Sequence, residues 1–174
     1  MYIIIGMDRK RKERVFVENY KIYKDKIYTY FLYRVNFDKE IAEDLTSEVF
    51  LKAYAHIESF DPERSFQAWI YTISRNHLFN HYRTAGREVE LEQADCVAVE
   101  FSKAFETQAE LEKAINEIYK LDNYCREVLL LRFVEGLDNR EIAEVLDKDE
   151  GAIRVQISRA LSALRNNLNE KYDK

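Results

Sequence analysis

Apolar residues recur at spacings of three, four and seven along most of the chain, the period of amphipathic helices. Alternating runs bounded by turn residues, the mark of strands, do not occur. Residues Lys10–Val35 carry a stripe of Val15, Phe16, Tyr20, Tyr23, Ile27, Tyr30, Phe31 and Val35. Phe37-Asp38 breaks it, and Asp38 can cap a second helix by closing on Ile41. That helix, about Lys39–Ile57, buries Ile41, Leu45, Val49, Phe50, Ala53, Tyr54 and Ile57. Ser65 can cap a third, about Phe66–Arg83, with Phe66, Trp69, Ile70 and Ile73 inward; Trp69 reads mainly as core. Periodicity lapses over 85–107 and resumes over Gln108–Leu121 with Leu111, Ala114, Ile115, Ile118 and Tyr119. Asp122 can cap Tyr124–Glu135, whose run Val128–Leu131 is apolar almost all round, as the centre of a small bundle must be; Gly136 ends it. The pattern predicts an all-α chain of two small helical domains joined by an acidic linker: residues 7–84, the linker 85–107, and 108–170.

The last two helices differ in charge. Arg140–Leu146 offers Ile142, Ala143, Val145 and Leu146 for burial and carries Glu141 and Glu144. A turn at Asp147–Gly151 follows, where an acidic cluster and a glycine are expected to stop the helix. The next helix, Ala152–Leu168, places Ile153, Ile157, Ala160, Leu161, Leu164 and Leu168 inward and Arg154, Gln156, Ser158, Arg159 and Arg165 outward, with no acid. A small acidic helix, a short turn and a purely basic helix form the layout of a helix-turn-helix, whose second helix enters the major groove.

Composition bounds the rest. Four glycines and one proline in 174 residues suit helices with few tight turns. The net charge of −5 is unlike that of a protein that binds DNA unaided. The basic residues are local, in Arg9–Arg14 and on the last helix, so DNA binding should depend on a partner. Cys96 and Cys125 form no CxxC and read as free thiols in a reducing compartment. Tyr2–Ile5 is too short for a signal core or a membrane span, so the chain is expected to be cytoplasmic without membrane insertion. Met7 is an alternative start. Within 85–107, Glu88, Glu90, Glu92, Asp95, Glu100 and Glu106 outnumber Arg87 and Lys103. This charged tether would reach roughly 70 Å at ~3.3 Å per residue, on the order of two turns of B-DNA.

Three polar faces are candidates for chemistry. The second helix exposes Glu40, Glu43, Asp44, Ser47, Glu48 and Lys52; by composition alone, a docking surface and a solvated face explain this equally well. The third aligns Thr72, Asn76, Asn80 and Arg83, which could line a nucleic-acid strand or simply be wet. His77 and His81 stand four apart, as helical metal ligands do, but no carboxylate or third ligand accompanies them; the default is a surface or strand-contacting pair. No nucleophile–base pair, phosphate loop or metal cluster appears, so neither an enzyme nor a cofactor site is expected.

Two stretches taken together carry a family resemblance. AEDLTSEVFLKAYAHIESFDPERSFQAWIYTISRNHLFNHYR, followed beyond the acidic linker by CREVLLLRFVEGLDNREIAEVLDKDEGAIRVQISRALSALRNNL, resembles the sigma factors of bacterial RNA polymerase. The length, with no extra middle domain, is similar to that of the extracytoplasmic-function (ECF) group of the sigma-70 family. The resemblance spans about Met7 to Leu168 and implies a factor that binds core polymerase and directs promoter-specific initiation.

The resemblance also implies site roles. The helix matching Asp44–Ile57 would dock on the β′ clamp helices through Asp44, Ser47, Glu48, Phe50 and Leu51; the family often has glutamine where this chain has Ser47. The segment Ser59–Arg83 would melt and read the −10 element through Ser59, Phe60, Asp61, Ser65, Phe66, Asn76, Asn80 and Arg83. Asn76 lies nearest the pocket for an unpaired base, the loop Ser59–Ser65 forms its wall, and Arg83 meets backbone phosphate. The last helix would read the −35 element through Arg154, Val155, Ser158 and Arg159, with backbone N–H groups near Gly151 meeting a phosphate. The partners implied are core polymerase at its β′ clamp helices and β flap, promoter DNA and an anti-sigma factor of the kind common in the family. The linker would run through the active-site cleft and RNA exit path. Two rivals stay open at this point: a stand-alone dimeric helix-turn-helix regulator, and an adaptor that sequesters polymerase without starting transcription.

Overall fold

The computed structural model describes residues 9–35, 37–84 and 117–172. Helices are the only regular elements among them, as the apolar pattern predicts. They fall into two compact units, one holding the described residues to Leu32 and from Asp38 to Thr84, the other holding Tyr33–Phe37 and the residues from 117 onward. The acidic tether 85–107 and the start of the predicted helix Gln108–Leu121 lie outside the described residues, as does the Met7 start.

The first unit is built from α1 (Arg9–Arg34), α2 (Lys39–Ala55), a 3-10 turn (Ile57–Ser59) and α3 (Phe66–Thr84). Asp38 caps α2 by accepting from Ile41 N at 3.1 Å. Ser65 Oγ accepts from Ala68 N at 3.2 Å at the start of α3. Ile27, Tyr30, Phe31, Ala42, Val49, Ala53, Ile70 and Tyr71 are all but inaccessible to solvent. The tyrosine-rich stripe packs as edge-to-face rings, Tyr30 against Tyr71 at 5.4 Å and Tyr20 against Phe50 at 4.9 Å. Two inward expectations fail: Tyr54 is 44% exposed, with its hydroxyl on Glu13, and Tyr20 is 41% exposed. Each has a polar tip that favours the rim.

In the second unit, Asp122 caps α4 (Asn123–Leu129) by accepting from the N–H groups of Tyr124 and Cys125, both at 3.0 Å. The expected continuous helix to Glu135 instead widens into a π turn (Leu130–Val134). Its departure is consistent with the close of the segment: Leu137 N donates to Leu131 O, and Gly136 holds φ +72°, where a side chain would be strained. Val128, Leu129, Leu130, Leu131 and Leu137 form the centre of the bundle, and Phe133 stays half exposed. Arg132 Nη1 donates to Leu137 O at 2.9 Å. Cys125 is a buried free thiol pushed up to about 11 by burial and the neighbouring Asp122, so it carries no reactive thiolate at neutral pH. Cys96 lies outside the described residues.

The helix-turn-helix follows, with α5 (Asn139–Leu146) and α6 (Glu150–Tyr172). A glycine does not stop α5. Asp147 does, by adopting the left-handed conformation at φ 53°, while Gly151 lies inside α6 and has open space about it. Aspartate reaches this region more readily than most residues because its short polar side chain bonds locally. Leu161, expected inward, is 40% exposed; Leu168 lies beyond the described side chains.

Candidate nucleic-acid interfaces

The 3-10 turn after α2 brings the chain back over the middle of α3. Between them opens a cleft of about 310 Å³ lined by Lys52, His56, Ser59, Trp69, Ile73, Asn76, His77 and Asn80. Its volume matches the lower range of small-ligand sites. Asn76 and Asn80, one helical turn apart, bring amide donors and acceptors. Trp69 supplies an aromatic surface, backed by Phe60 at 5.0 Å and Phe66 at 5.4 Å between ring centroids. A flat aromatic flanked by amides is what an unpaired base needs for stacking and edge recognition.

Of the residues expected at this site, the cleft gathers Ser59, Asn76 and Asn80. It does not gather Phe60, Asp61, Ser65, Phe66 or Arg83. Phe60 and Phe66 are 3% and 7% exposed and form the wall that holds Trp69. Ser65 is committed to capping α3. Asp61 closes its own turn by accepting from Glu63 N at 3.0 Å. Arg83 is exposed at the far end of α3. Trp69, expected mainly in the core, is partly accessible and lines the cleft. Lys52, which the helical period places on the polar face of α2, also lines the cleft, a role that sequence reasoning missed.

His77 departs furthest from expectation. It is 8% exposed, not a surface residue, and Lys52 Nζ lies 2.6 Å from its Nδ1. Its Nε2 is 2.9 Å from Glu48 Oε2, poorly aligned for a hydrogen bond. Burial and the Lys52 charge lower its pKa below the ordinary 6.5, against the opposing pull of Glu48. No group of three potential metal ligands occurs among the described residues.

On α2, the outer face exposes Asp44, Ser47, Glu48 and Leu51, with Leu51 at 70%. Phe50, expected on the docking face, is 6% exposed and packs at 6.3 Å from the Phe16 ring; it supports the face from within. On α6, Arg154, Val155, Ser158 and Arg159 are all exposed while Ile153 and Ala160 anchor the opposite side. The four therefore share one outward surface. Arg154 Nη2 is held at 2.9 Å by Glu150 Oε1 one turn earlier.

Known proteins carry the same two-part arrangement. The sigma-70 region 2 profile matches residues 20–88, and the sigma-70 region 4 profile matches residues 111–164. The ECF RNA polymerase sigma factor SigW of Bacillus subtilis is 30% identical over 176 residues, covering 93% of this chain and 93% of SigW. The chain belongs to the ECF sigma factors. Another relative, the ECF sigma factor BldN of Streptomyces coelicolor, is 37% identical over 151 residues; the match covers 83% of this chain and 57% of BldN. Among solved structures, the sigma factor RpoE of Bartonella quintana, determined with the anti-sigma factor NepR, aligns with a TM-score of 0.66 at 25% identity, over 90% of this chain and 98% of that one.

Sigma factors direct promoter-specific transcription initiation by RNA polymerase, and they regulate transcription rather than catalyse a reaction. No described helix of this one is long and apolar enough to cross a membrane.

Proposed function

We propose that this ECF sigma factor loads core polymerase onto promoters by dividing the work among three surfaces. Residues 7–84 act as the core-binding and −10 domain, 85–107 as a linker, and 108–170 as the −35 domain. Asp44, Ser47, Glu48 and Leu51 on α2 meet the β′ clamp helices, and the C-terminal domain meets the β flap. The cleft beside Trp69 takes one unpaired base of the −10 element, with Asn76, Asn80 and Ser59 as hydrogen-bonding groups. Arg154, Val155, Ser158 and Arg159 enter the major groove at the −35 element. Arg83 meets phosphate. The factor works in the cytoplasm, is not itself an enzyme, and has an anti-sigma factor among its partners, as RpoE does in its solved complex.

The observation that carries this reading is the cleft, where an aromatic face and two amides converge on one side of a packed helix pair. A simple duplex binder has no use for such a recess. The net charge of −5 supports the dependence on polymerase: free factor binds duplex weakly, and the holoenzyme supplies the missing positive field. The test is reconstitution with core polymerase and genome-wide mapping of transcript starts. Factor-dependent starts sharing two spaced sequence elements are expected. Tight specific duplex binding by the factor alone, or a reconstituted polymerase without any new starts, would overturn the reading.

A further inference from the structure

We infer that His77 is a positioning residue of the base cleft, holding the Lys52 ammonium on the cleft wall through an unprotonated Nδ1. The inference rests on the base-cleft reading above.

The chemistry of the pair fixes the proton positions. A lysine ammonium carries three donors and no acceptor, so at 2.6 Å it donates and His77 Nδ1 accepts. The ring proton therefore lies on Nε2, which faces Glu48 Oε2 at 2.9 Å. The buried His77 ring thus bridges Glu48 and Lys52, two exposed side chains one turn apart on α2. The charged and titratable groups around the ring are Glu48 and Lys52 on α2, His81 one turn further along α3, and His56 on the cleft rim. Glu48 favours the protonated ring; Lys52 and His81 disfavour it, as does burial, which is the largest influence.

Neutral His77 does something an apolar residue there could not. Lysine is a flexible four-carbon stem with a mobile point charge. Anchored through one N–H, Lys52 keeps two donors for a base edge or the flanking phosphate, beside the amides of Asn76 and Asn80. Protonation of His77 removes the acceptor and sets two cations against each other, so Lys52 must swing away. The cleft then loses a fixed donor while its aromatic wall stays intact.

The test uses full-length factor in reconstituted holoenzyme on one promoter, with open-complex formation read by permanganate reactivity of −10 thymines and core binding measured in parallel. His77→Leu should lower opening by about tenfold, the scale of one hydrogen bond to a charged group, and leave core binding unchanged. His77→Gln, whose amide oxygen can still accept from Lys52, should recover part of the loss. Lys52→Met combined with His77→Leu should be no worse than Lys52→Met alone. As pH falls below 6.5, opening by the wild type should decline relative to His77→Gln. Normal opening by a folded His77→Leu, additive losses in the double variant, or a constant wild-type to His77→Gln ratio across that pH range would each overturn the inference. Should His77→Leu fail to fold, the pH ratio decides. Asn76→Ala separates the two levels: its normal opening would sink the base-cleft reading itself, whereas loss there with normal His77→Leu opening sinks only the role of His77.

Discussion

Asp138 and Glu141 close a reciprocal cap at the entrance to the helix-turn-helix. Asp138 Oδ1 accepts from Glu141 N at 2.8 Å, and Glu141 Oε2 accepts from Asp138 N at 2.9 Å. Two amides that no helical carbonyl could reach are satisfied at once. Asp138→Ala should cost the C-terminal domain about 1 kcal/mol. Adding Glu141→Ala should cost less than the sum of the two single changes, because each partner's contribution depends on the other. Denaturant unfolding followed by a probe in this domain measures both, and strict additivity would count against the reciprocal cap.

Phe50 and Leu51 are neighbours in sequence with opposite fates, 6% and 70% exposed. Phe50→Ala opens a cavity against Phe16 and Tyr20 and should destabilise the N-terminal domain by about 3–5 kcal/mol. Its effect on core binding should follow that loss of folding. Leu51→Asp should change stability by no more than about 0.5 kcal/mol, as surface changes do, yet weaken core binding. Asp44→Lys with Glu48→Lys should do the same through charge. Thermal unfolding and core-binding titrations on the same samples separate the cases. Unimpaired core binding by folded Leu51→Asp and by the double charge reversal would remove α2 from the docking surface.

Most of the fold was legible because the helices obey one period and their starts are written in caps. Asp38, Ser65 and Asp122 each cap the helix start that the sequence suggests. The ends were less legible. Asp147 terminates α5 in the left-handed conformation, while Gly151, the obvious breaker, continues α6. The π turn leaves no mark in an apolar run that would suit an α-helix equally. At the cleft, Asn76 and Asn80 could be found by spacing. Lys52 and His77 could not, because their meeting depends on how α2 crosses α3 and not on the period of either. A heptad-like count places His77 beside the polar asparagines; packing puts it inside. The burial of Phe60 and Phe66 behind Trp69 was hidden for a related reason: resemblance marks a region without separating its exposed residues from those that brace it.

Asp122 gives the C-terminal domain an acid-sensitive cap. Hydrogen bonds from the Cys125 thiol and amide, and then from the Tyr124 amide, hold its pKa below the ordinary 3.8. A carboxylate whose folded pKa is depressed stabilises fully above its unfolded value and loses that contribution as pH falls through the folded one. Asp122→Ala should therefore cost on the order of 1 kcal/mol at neutral pH, with the gap to wild type closing only below about pH 3.8. Unfolding free energies measured from neutral to acid pH check the sign. A gap that widens on acidification would contradict it.

Glu150 holds Arg154 before any DNA arrives. The pair is one turn apart and solvent-exposed, with side-chain exposures of 49% and 70%, so its own strength is about 0.3–0.5 kcal/mol. On the proposed −35 role of α6, DNA binding breaks this pair or shares the guanidinium, and brings phosphates near the Glu150 carboxylate. Glu150→Gln should therefore raise holoenzyme affinity for a −35 duplex about twofold, the scale of the released pair. Arg154→Ala should lower it far more, by about tenfold, because a bidentate arginine–guanine contact is worth about 1–3 kcal/mol. The two arginines need not act alike. If Arg154 reads a base, its loss relaxes preference at one position of the element; if Arg159 meets phosphate, its loss weakens all sequences alike and lowers the salt dependence by about one charge. Competition binding across single-base variants of the −35 element, repeated at several salt concentrations, assigns each. An unchanged affinity in Arg154→Ala would take this side chain off the DNA-reading face and leave its bond to Glu150 as a helix-surface pair alone.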